Sequence, residues 1–189
     1  MVLEDDRVQL RPLTPNDYEL LLPFALQEPT LWDYSPWPIA GAGPFKEYIE
    51  TACKGMQLGE SLAFVVFDKK TNAIAGSTRF YDIQHKAQSV QIGYTWYGKA
   101  FQGTGINVHC KYLMLQFAFE NWNIERVEFR ADMRNARSIA AMKKIGCVEE
   151  GIQRSAVPSN LGGRRSSIIL SILKDEWYGA VKSNLQRLL

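Results

Sequence analysis

Residues 91–111 constrain the fold most, because they predict a strand, a glycine loop and a buried helix in direct succession. Apolar side chains at positions 90, 92, 94 and 96 alternate with smaller or polar ones, which is the period of two expected of a half-buried strand. Residues 108–119 are apolar on nearly every side, which is typical of a helix packed inside a domain. The domain is therefore expected to be organised around this segment.

The loop between this strand and helix reads Phe101-Gln102-Gly103-Thr104-Gly105-Ile106-Asn107. Glycines before a helix N-terminus let the backbone approach a ligand and leave several N–H groups free, a typical phosphate site. An ordinary turn of turn-prone residues is the equally open alternative. The common nucleotide loops do not fit, because no Lys-Ser or Lys-Thr follows the second glycine and position 108 is Val.

Composition indicates one soluble domain spanning residues 1–189, since 46% of the residues are hydrophobic and 12% aromatic. The net charge is +2 with no basic block, so no nucleic-acid partner is expected. Three distant cysteines without a CxxC motif are typical of reduced thiols, so we expect a cytoplasmic protein. The two histidines predict no metal site, and we expect no signal peptide and no membrane span.

Periodicity and turn residues predict the order β-α-α-β-β-β-α-β-α-β-β-α, hence an α+β domain with a mixed sheet of about seven strands. A helix separates the strands predicted at 90–97 and 126–132, so these two should be parallel and joined by a right-handed crossover. The other strands are predicted at 8–13, 62–67, 73–81, 147–154 and 164–173, and the helices at 17–26, 44–58, 108–119, 135–145 and the C-terminus.

Two motifs resemble the GNAT N-acetyltransferase superfamily. Gln102-x-x-Gly105-x-Asn107 is similar to its pyrophosphate loop, [Q/R]-x-x-G-x-[G/A], with Asn at the last position. Residues 135–154, NARSIAAMKKIGCVEEGIQR, resemble the N-x-x-S-x-x-x-[M/I]-x-K-x-G-F-x-x-E-G-x-x-R signature of the RimJ/RimL branch. Segments 8–13, 76–79 and 92–94 extend the likeness over most of the chain. The resemblance implies the GNAT fold with an added C-terminal helix.

The resemblance also implies acetyl-CoA as co-substrate, without a metal. It implies pantetheine along the backbone of one strand end, phosphates on the loop amides, Asn135 beside the pantetheine arm and Lys144 near the phosphates. Asn135 as a simple helix cap and Lys144 as a solvated helix charge are the alternatives. The predicted coenzyme-binding residues are Thr95, Trp96, Tyr97, Gln102, Gly103, Thr104, Gly105, Ile106, Asn107, Asn135 and Lys144.

Ser138 is the predicted catalytic residue, one turn into the second motif and on the same helix face as Asn135. The resemblance implies that this face looks onto the thioester, where a hydroxyl could donate to the leaving thiolate. Met142 stands where many relatives carry a proton-donating Tyr, and Gln91 where many carry Glu. No general base is assigned, although Asp82, Glu128 and Asp132 lie near the sheet.

The acceptor pocket is predicted from Trp32 and Tyr34 in an aromatic loop, with Arg79 and Tyr81 on the floor of the sheet. Aromatic rings that merely cover the sheet edge are the alternative. The leading hypothesis is an N-acetyltransferase that acts on a protein N-terminus or a small-molecule amine, as a monomer or homodimer. The second hypothesis is a non-catalytic module that binds acyl-CoA.

Overall fold

Eight strands form one sheet in the order β1-β2-β3-β4-β5-β6-β8-β7, in a computed structural model that describes residues 1–189. All neighbouring strands are antiparallel except β5 and β6, which are parallel as predicted. The strands are β1 Leu3–Glu4, β2 Val8–Pro12, β3 Ser61–Asp68, β4 Ala73–Gln84, β5 Ser89–Tyr97, β6 Arg126–Asp132, β7 Val148–Pro158 and β8 Arg164–Leu173. The predicted mixed sheet is confirmed, with one strand more than the seven expected. The extra strand is β1, whose two residues are too few to show a period.

Helices flank both faces of this sheet, with bounds within two residues of most predicted ones. They are α1 Tyr18–Gln27, α2 Ala42–Gln57, α3 Ile106–Gln116 and α4 Ala136–Lys144. A π-helical turn, Phe117–Asn121, extends α3. The C-terminal helix consists of α5 Lys174–Glu176, a π-helical turn Trp177–Val181 and α6 Lys182–Gln186. No helix is both long enough and apolar enough to cross a membrane.

The two faces of the sheet bury separate hydrophobic clusters. The larger cluster joins one face to α3, α4 and the C-terminal helix, through residues such as Phe80, Ile92 and Trp177. The smaller cluster joins the opposite face to α1 and α2, through residues such as Phe45 and Trp96. We call the second face the α1/α2 face. The sheet is therefore a middle layer between two helical layers.

A β-bulge interrupts β5 and corrects the period of two predicted for it. Ser77 of β4 pairs with Trp96 and Arg79 pairs with Gly93, so two residues of β5 oppose one residue of β4. Tyr94 in this bulge has φ +49° and is 40% exposed. Because the extra residue shifts the alternation, Val90 and Ile92 face the larger cluster, whereas Trp96 faces the smaller one.

β5 and β6 pair only at their N-terminal halves. Their register runs from Ser89 opposite Arg126 to Gln91 opposite Glu128, and no pairing follows. The two strands therefore diverge toward their C-terminal ends, leaving a wedge-shaped opening in the middle of the sheet. We call this opening the β5–β6 wedge. The bulge and the glycine loop both border it.

Candidate active site

The amides of the glycine loop are free at the end of β5. No hydrogen bond to protein is made by the N–H groups of residues 103–107, and the first bonded amide is that of Val108, which donates to the Gly105 carbonyl at 2.9 Å. Any helix start leaves N–H groups unpaired. Here five consecutive ones are free at the N-terminus of α3, where the helix dipole adds partial positive charge. The loop can therefore bind an anion without losing an internal hydrogen bond.

Two glycines give the loop its shape and keep its front open. Gly103 has φ +76° and Gly105 has φ +93°, both in the left-handed region that favours glycine. A Cβ atom at either position would meet no protein atom within 4 Å, so the space before them is empty of protein. Residues 103–105 are exposed, whereas Ile106 is buried and anchors the helix start.

Side chains of the loop tie it to β5 and α4. Gln102 donates from Nε2 to the Tyr97 carbonyl at 2.8 Å and accepts from Arg137 at the start of α4. The Tyr97 hydroxyl donates to Asn107 Oδ1 at 3.2 Å. Because burial raises the pKa of Tyr97 well above its usual value, this hydroxyl keeps its proton. These hydrogen bonds fix the position of the free amides relative to β5 and α4.

A cleft of about 360 Å³ opens beside the loop and carries three cations. Lys99 precedes the glycines, and Arg134 and Arg137 come from the segment entering α4. Gln102, Asn135 and Tyr34 line the same cleft, so three of the residues predicted for the coenzyme and acceptor sites meet there. Positive side chains around free amides favour a ligand with several negative charges.

Helix α4 presents the second motif with its capping residue in place. Asn135 Oδ1 accepts from the Ser138 N–H at 3.0 Å, so Asn135 is the N-cap of α4. Ser138 is half-buried and its hydroxyl makes no hydrogen bond to protein, which leaves it available. Met142 is buried in the larger cluster, and Lys144 is exposed without an ion pair.

A buried lysine supports the bulge of β5 from behind. Lys111 of α3 is 5% exposed, and its Nζ donates to Thr95 Oγ1 at 2.8 Å and to Thr78 Oγ1 at 3.0 Å. The two hydroxyls also lie 2.8 Å apart. No carboxylate contacts Lys111, and burial lowers its pKa to about 8. The bulge is therefore fixed by hydrogen bonds as well as by strand pairing.

The three carboxylates near the sheet are all engaged by other side chains. Asp132 accepts from Nε and Nη2 of Arg134 at 2.9 and 2.7 Å, which lowers its pKa. Glu128 contacts Arg126 at 2.8 Å and Arg130 at 2.6 Å. Asp82 accepts from Gln91 Nε2 at 2.7 Å. None of these contacts identifies a general base.

The predicted acceptor residues divide between the core and the α1/α2 face. Trp32 is 3% exposed and packs in the smaller cluster, with its ring 5.3 Å from that of Trp96. It fills the core instead of lining the cleft. Tyr34 lines the cleft, while Arg79 and Tyr81 lie near the bulge around Tyr94.

Sequence reasoning missed Lys99, Arg134, Arg137 and Lys111. The sequence signal for Lys111 was present, because a lysine inside a helix that is apolar on nearly every side must be buried. The three cleft cations gave no such signal, since a solvated lysine or arginine near a loop is the ordinary case. Their convergence depends on how the loop and α4 meet.

No group of three or more His, Cys, Asp or Glu side chains is arranged to hold a metal ion. The loop, the wedge between parallel strands and the capped α4 instead define an acyltransferase site of the GNAT type. The family description "Acetyltransferase (GNAT) domain" matches residues 7–148, and the chain belongs to this family. The family predicted from the two motifs is confirmed.

Related sequences and solved structures match this chain over nearly all of its length. YdaF of Bacillus subtilis, which is named as a ribosomal N-acetyltransferase, is 26% identical over 93% of this chain and 96% of its own length. A GCN5-related N-acetyltransferase from Brucella melitensis superposes with a TM-score of 0.89 at 23% identity, covering 100% of this chain and 86% of that one. RimJ of Mycobacterium smegmatis, solved in complex with CoA-disulfide, superposes with a TM-score of 0.83 at 20% identity, covering 95% of this chain and 88% of that one. The last two likenesses concern the fold.

Proposed function

We propose that this protein transfers an acetyl group from acetyl-CoA to the amine of a protein N-terminus or of a small molecule. The observation that carries the proposal is the run of five free amides at residues 103–107, of which residues 103–105 are exposed, beside a cleft lined by Lys99, Arg134 and Arg137. A diphosphate is the anion that such an array fits best. The RimJ structure, which was solved with a CoA-disulfide, supports the same ligand class here.

The β5–β6 wedge gives the pantetheine arm a route from the loop to the α1/α2 face. Residues 95–97 have no partner on β6, so backbone groups of this segment that face the wedge can hold the arm and polarise the thioester carbonyl, as an oxyanion hole does. Asn135, which follows the end of β6, lines the cleft on the other side. Bringing the thioester and the amine together in this wedge supplies much of the rate.

Transfer itself needs few protein groups. The neutral amine attacks the thioester carbon, a C–N bond forms, the C–S bond breaks, and the proton that the amine loses passes through water to the sulfur, which leaves as the CoA thiol. The Ser138 hydroxyl, free and half-buried on α4, donates to the departing thiolate sulfur. The chain's own residues thus orient the reactants and stabilise developing charge.

An α-amine is the favoured acceptor. No general base stands out at the site, and an α-amine has a pKa of about 7.7–8.0, so a large fraction is neutral near pH 7.5 without help. A lysine amine, with a pKa of about 10.4, needs much more assistance. The likeness to YdaF, named as a ribosomal N-acetyltransferase, supports a protein N-terminus.

A module that binds acyl-CoA without transfer is the second candidate. It is favoured by Gln91, which donates to Asp82 at a position where many GNAT enzymes carry a glutamate base. Release of CoA thiol from acetyl-CoA, with a panel of peptides and amines, separates the two candidates. Tight CoA binding without thiol release on any acceptor would leave only the binding module.

Replacing Ser138 with Ala tests the transfer step. We expect turnover to fall by about 10- to 100-fold, because the leaving thiolate loses its donor, while CoA affinity stays within about twofold. Calorimetry with CoA and single-turnover thiol release measure the two quantities. An unchanged rate would remove Ser138 from the mechanism, and Ser183→Ala on the distant C-terminal helix is the control.

A further inference from the structure

Arg79 on β4 is a buried cation without a partner. It is 5% exposed, and its Nε and Nη2 atoms are enclosed and make no hydrogen bond. No carboxylate forms an ion pair with it either. A buried guanidinium with unused donors is costly, because burial removes the water that would otherwise satisfy it. Such a group therefore marks a place where an anion would be stabilised.

Aromatic rings surround this guanidinium on the α1/α2 face. Its Cζ lies 4.2 Å from the ring centroid of Tyr94 and 5.2 Å from that of Tyr48. The ring of Tyr81 packs edge-on against Tyr94 at 5.0 Å. Ring faces stabilise the positive charge, but they leave the N–H donors unfilled. The rings therefore explain why the positive charge of Arg79 is tolerated, but they provide no hydrogen-bond acceptor for its N–H groups.

A second cation, Arg165 of β8, lies on the same face. Its Nη1 donates to the Tyr34 carbonyl at 2.8 Å and its Nε to Ser167 Oγ at 3.2 Å, and it forms no ion pair. Burial lowers the pKa of Arg165, although Asp132 and Tyr81 act on this pKa in the opposite direction. On β6, by contrast, Arg126 and Arg130 both contact Glu128. Arg79 and Arg165 are thus two arginines on the α1/α2 face that form no ion pair.

The two cations stand on opposite sides of the β5–β6 wedge. Arg79 pairs with Gly93 of β5, directly before the bulge. Arg165 stands two residues before Ser167, which pairs with Asp132 at the end of β6. A group that emerges from the wedge onto this face therefore meets positive charge on both sides.

We propose that Arg79 and Arg165 bind a carboxylate of the acceptor, so that the substrate is an amine with a carboxylate close to it. The inference rests on the proposed function, because the wedge must deliver the acetyl group to this face. A guanidinium binds a carboxylate through charge-assisted hydrogen bonds, and Nη1 of Arg79, unlike the enclosed Nε and Nη2, is the nitrogen that a carboxylate can reach. The carboxylate comes either from a free amino acid or from an acidic side chain at a peptide N-terminus.

Product analogues test the site without turnover. The CoA-loaded protein is titrated with N-acetylglycine against N-acetylglycinamide, and with N-acetyl-aspartyl amide against N-acetyl-asparaginyl amide. Each pair differs in one carboxylate, and we expect the acid to bind at least about tenfold more tightly in one of the pairs. Preference in the first pair identifies a free amino acid, and preference in the second identifies an acidic peptide N-terminus.

Arg79→Met tests whether this arginine carries the preference. Methionine keeps the packing between Tyr48 and Tyr94, so we expect the acid-over-amide ratio to fall to about one with CoA affinity unchanged. Arg187→Gln, an exposed charge near the C-terminus, is the matched control and should retain the ratio. Arg165→Gln serves as a second variant if Arg79→Met fails to fold.

The outcomes separate this inference from the proposed transfer. No acid preference in either pair, with CoA bound, overturns the carboxylate site and leaves the transferase reading intact. A preference that survives both Arg79→Met and Arg165→Gln also overturns it. If the wild-type protein prefers the acid and either variant loses that preference, the carboxylate site is supported. If the same protein releases no thiol from acetyl-CoA, transfer is refuted while the carboxylate site stands.

Discussion

Gly105 and Lys111 show how single residues serve this site in opposite ways. Gly105 contributes by having no side chain, since its φ of +93° favours glycine and the space at its Cβ position is empty of protein. Lys111 contributes a charge where the surroundings are apolar, and its two hydroxyl contacts hold the bulge. The left-handed backbone at Gly105 and the buried charge at Lys111 are each locally unfavourable, and each supports the wedge or its loop. Each gives a measurable consequence.

Gly105→Val is expected to weaken CoA binding by at least about 100-fold, because a branched side chain would occupy the space before the free amides and disfavour the left-handed backbone. Gly162→Val is the matched control, since Gly162 has φ +90°, is exposed and likewise has no atom within 4 Å of its Cβ position. Calorimetry with CoA compares the two variants, with circular dichroism to check folding. Equal affinity losses in both would refute the loop assignment.

Lys111→Met is expected to change how stability depends on pH. The pKa of Lys111 is lowered to about 8 in the folded protein, below the value of about 10.4 in an unfolded chain. Between these values the unfolded state binds more protons, so the free energy of unfolding rises with pH. We expect this residue to add about 2 kcal/mol between pH 8 and pH 10 in the wild type and nothing in the variant.

The measurement is the difference in unfolding free energy between wild type and Lys111→Met across pH 7–10. Taking the difference reduces the opposing effect of Cys110 and Cys147, whose thiol pKa values burial raises to about 12. A difference that does not depend on pH would show that Lys111 keeps its ordinary pKa. Thr78 and Thr95 retain their mutual hydrogen bond in the variant.

Among the elements, β4 and β5 decide the geometry of the wedge. The bulge at Tyr94 turns the C-terminal half of β5 away from its ladder, and β5 no longer pairs with β6 beyond Gln91 and Glu128. Gly76 of β4 lets the end of β5 lie close, since a Cβ there would stand 2.0 Å from the Trp96 carbonyl oxygen. The register between β3 and β4 also shifts beside Gly76, between the pairs Val66–Gly76 and Phe67–Ile74.

Gly76→Ala is therefore expected to destabilise the fold by about 3 kcal/mol or more, because the added methyl group meets backbone that cannot move aside. Chemical denaturation monitored by tryptophan fluorescence gives the value. Gly43→Ala in α2, where a Cβ meets nothing within 4 Å, is the control and should be neutral or slightly stabilising. A loss below about 0.5 kcal/mol at Gly76 would mean that the close approach is absent.

At the scale of the whole molecule, the C-terminal helix completes the layer that covers α3. Trp177 is fully buried between the rings of Tyr112 and Phe119, at 5.9 and 5.6 Å, and its Nε1 donates to Glu120 at 3.0 Å. This helix lies beyond the matched family region, residues 7–148, yet its core residues belong to the larger cluster. The helix should therefore unfold together with the sheet.

Trp177→Ala is expected to cost about 3–5 kcal/mol, because it leaves a large cavity in the core. For a chain of this size that corresponds to a fall of roughly 6 to 20 °C in the melting temperature, in a single transition. Tyr178→Ala, at a neighbouring side chain that is 56% exposed, is the control. A separate early transition for the variant would show that the C-terminal helix is an independent unit.

The sequence by itself determined the order of elements, the parallel pair β5–β6, the family and the loop at residues 102–107. These features depend on local periodicity and on motif spacing, which a linear sequence records. It also predicted that Asn135 caps α4, since a capping hydrogen bond involves only residues that are neighbours in the sequence. The cytoplasmic location, the oligomeric state and the single-domain reading stay predictions.

Only the tertiary structure decided the bulge at Tyr94, the core position of Trp32, the cations around the cleft and the unpaired charge at Arg79. Each of these depends on which residues from distant segments meet, and one extra residue in β5 was enough to send Trp96 to the opposite face from Ile92. Hydrophobicity predicts that a residue is buried. The residues that it contacts in the core are set by strand register and helix packing, and these depend on contacts between distant segments of the chain.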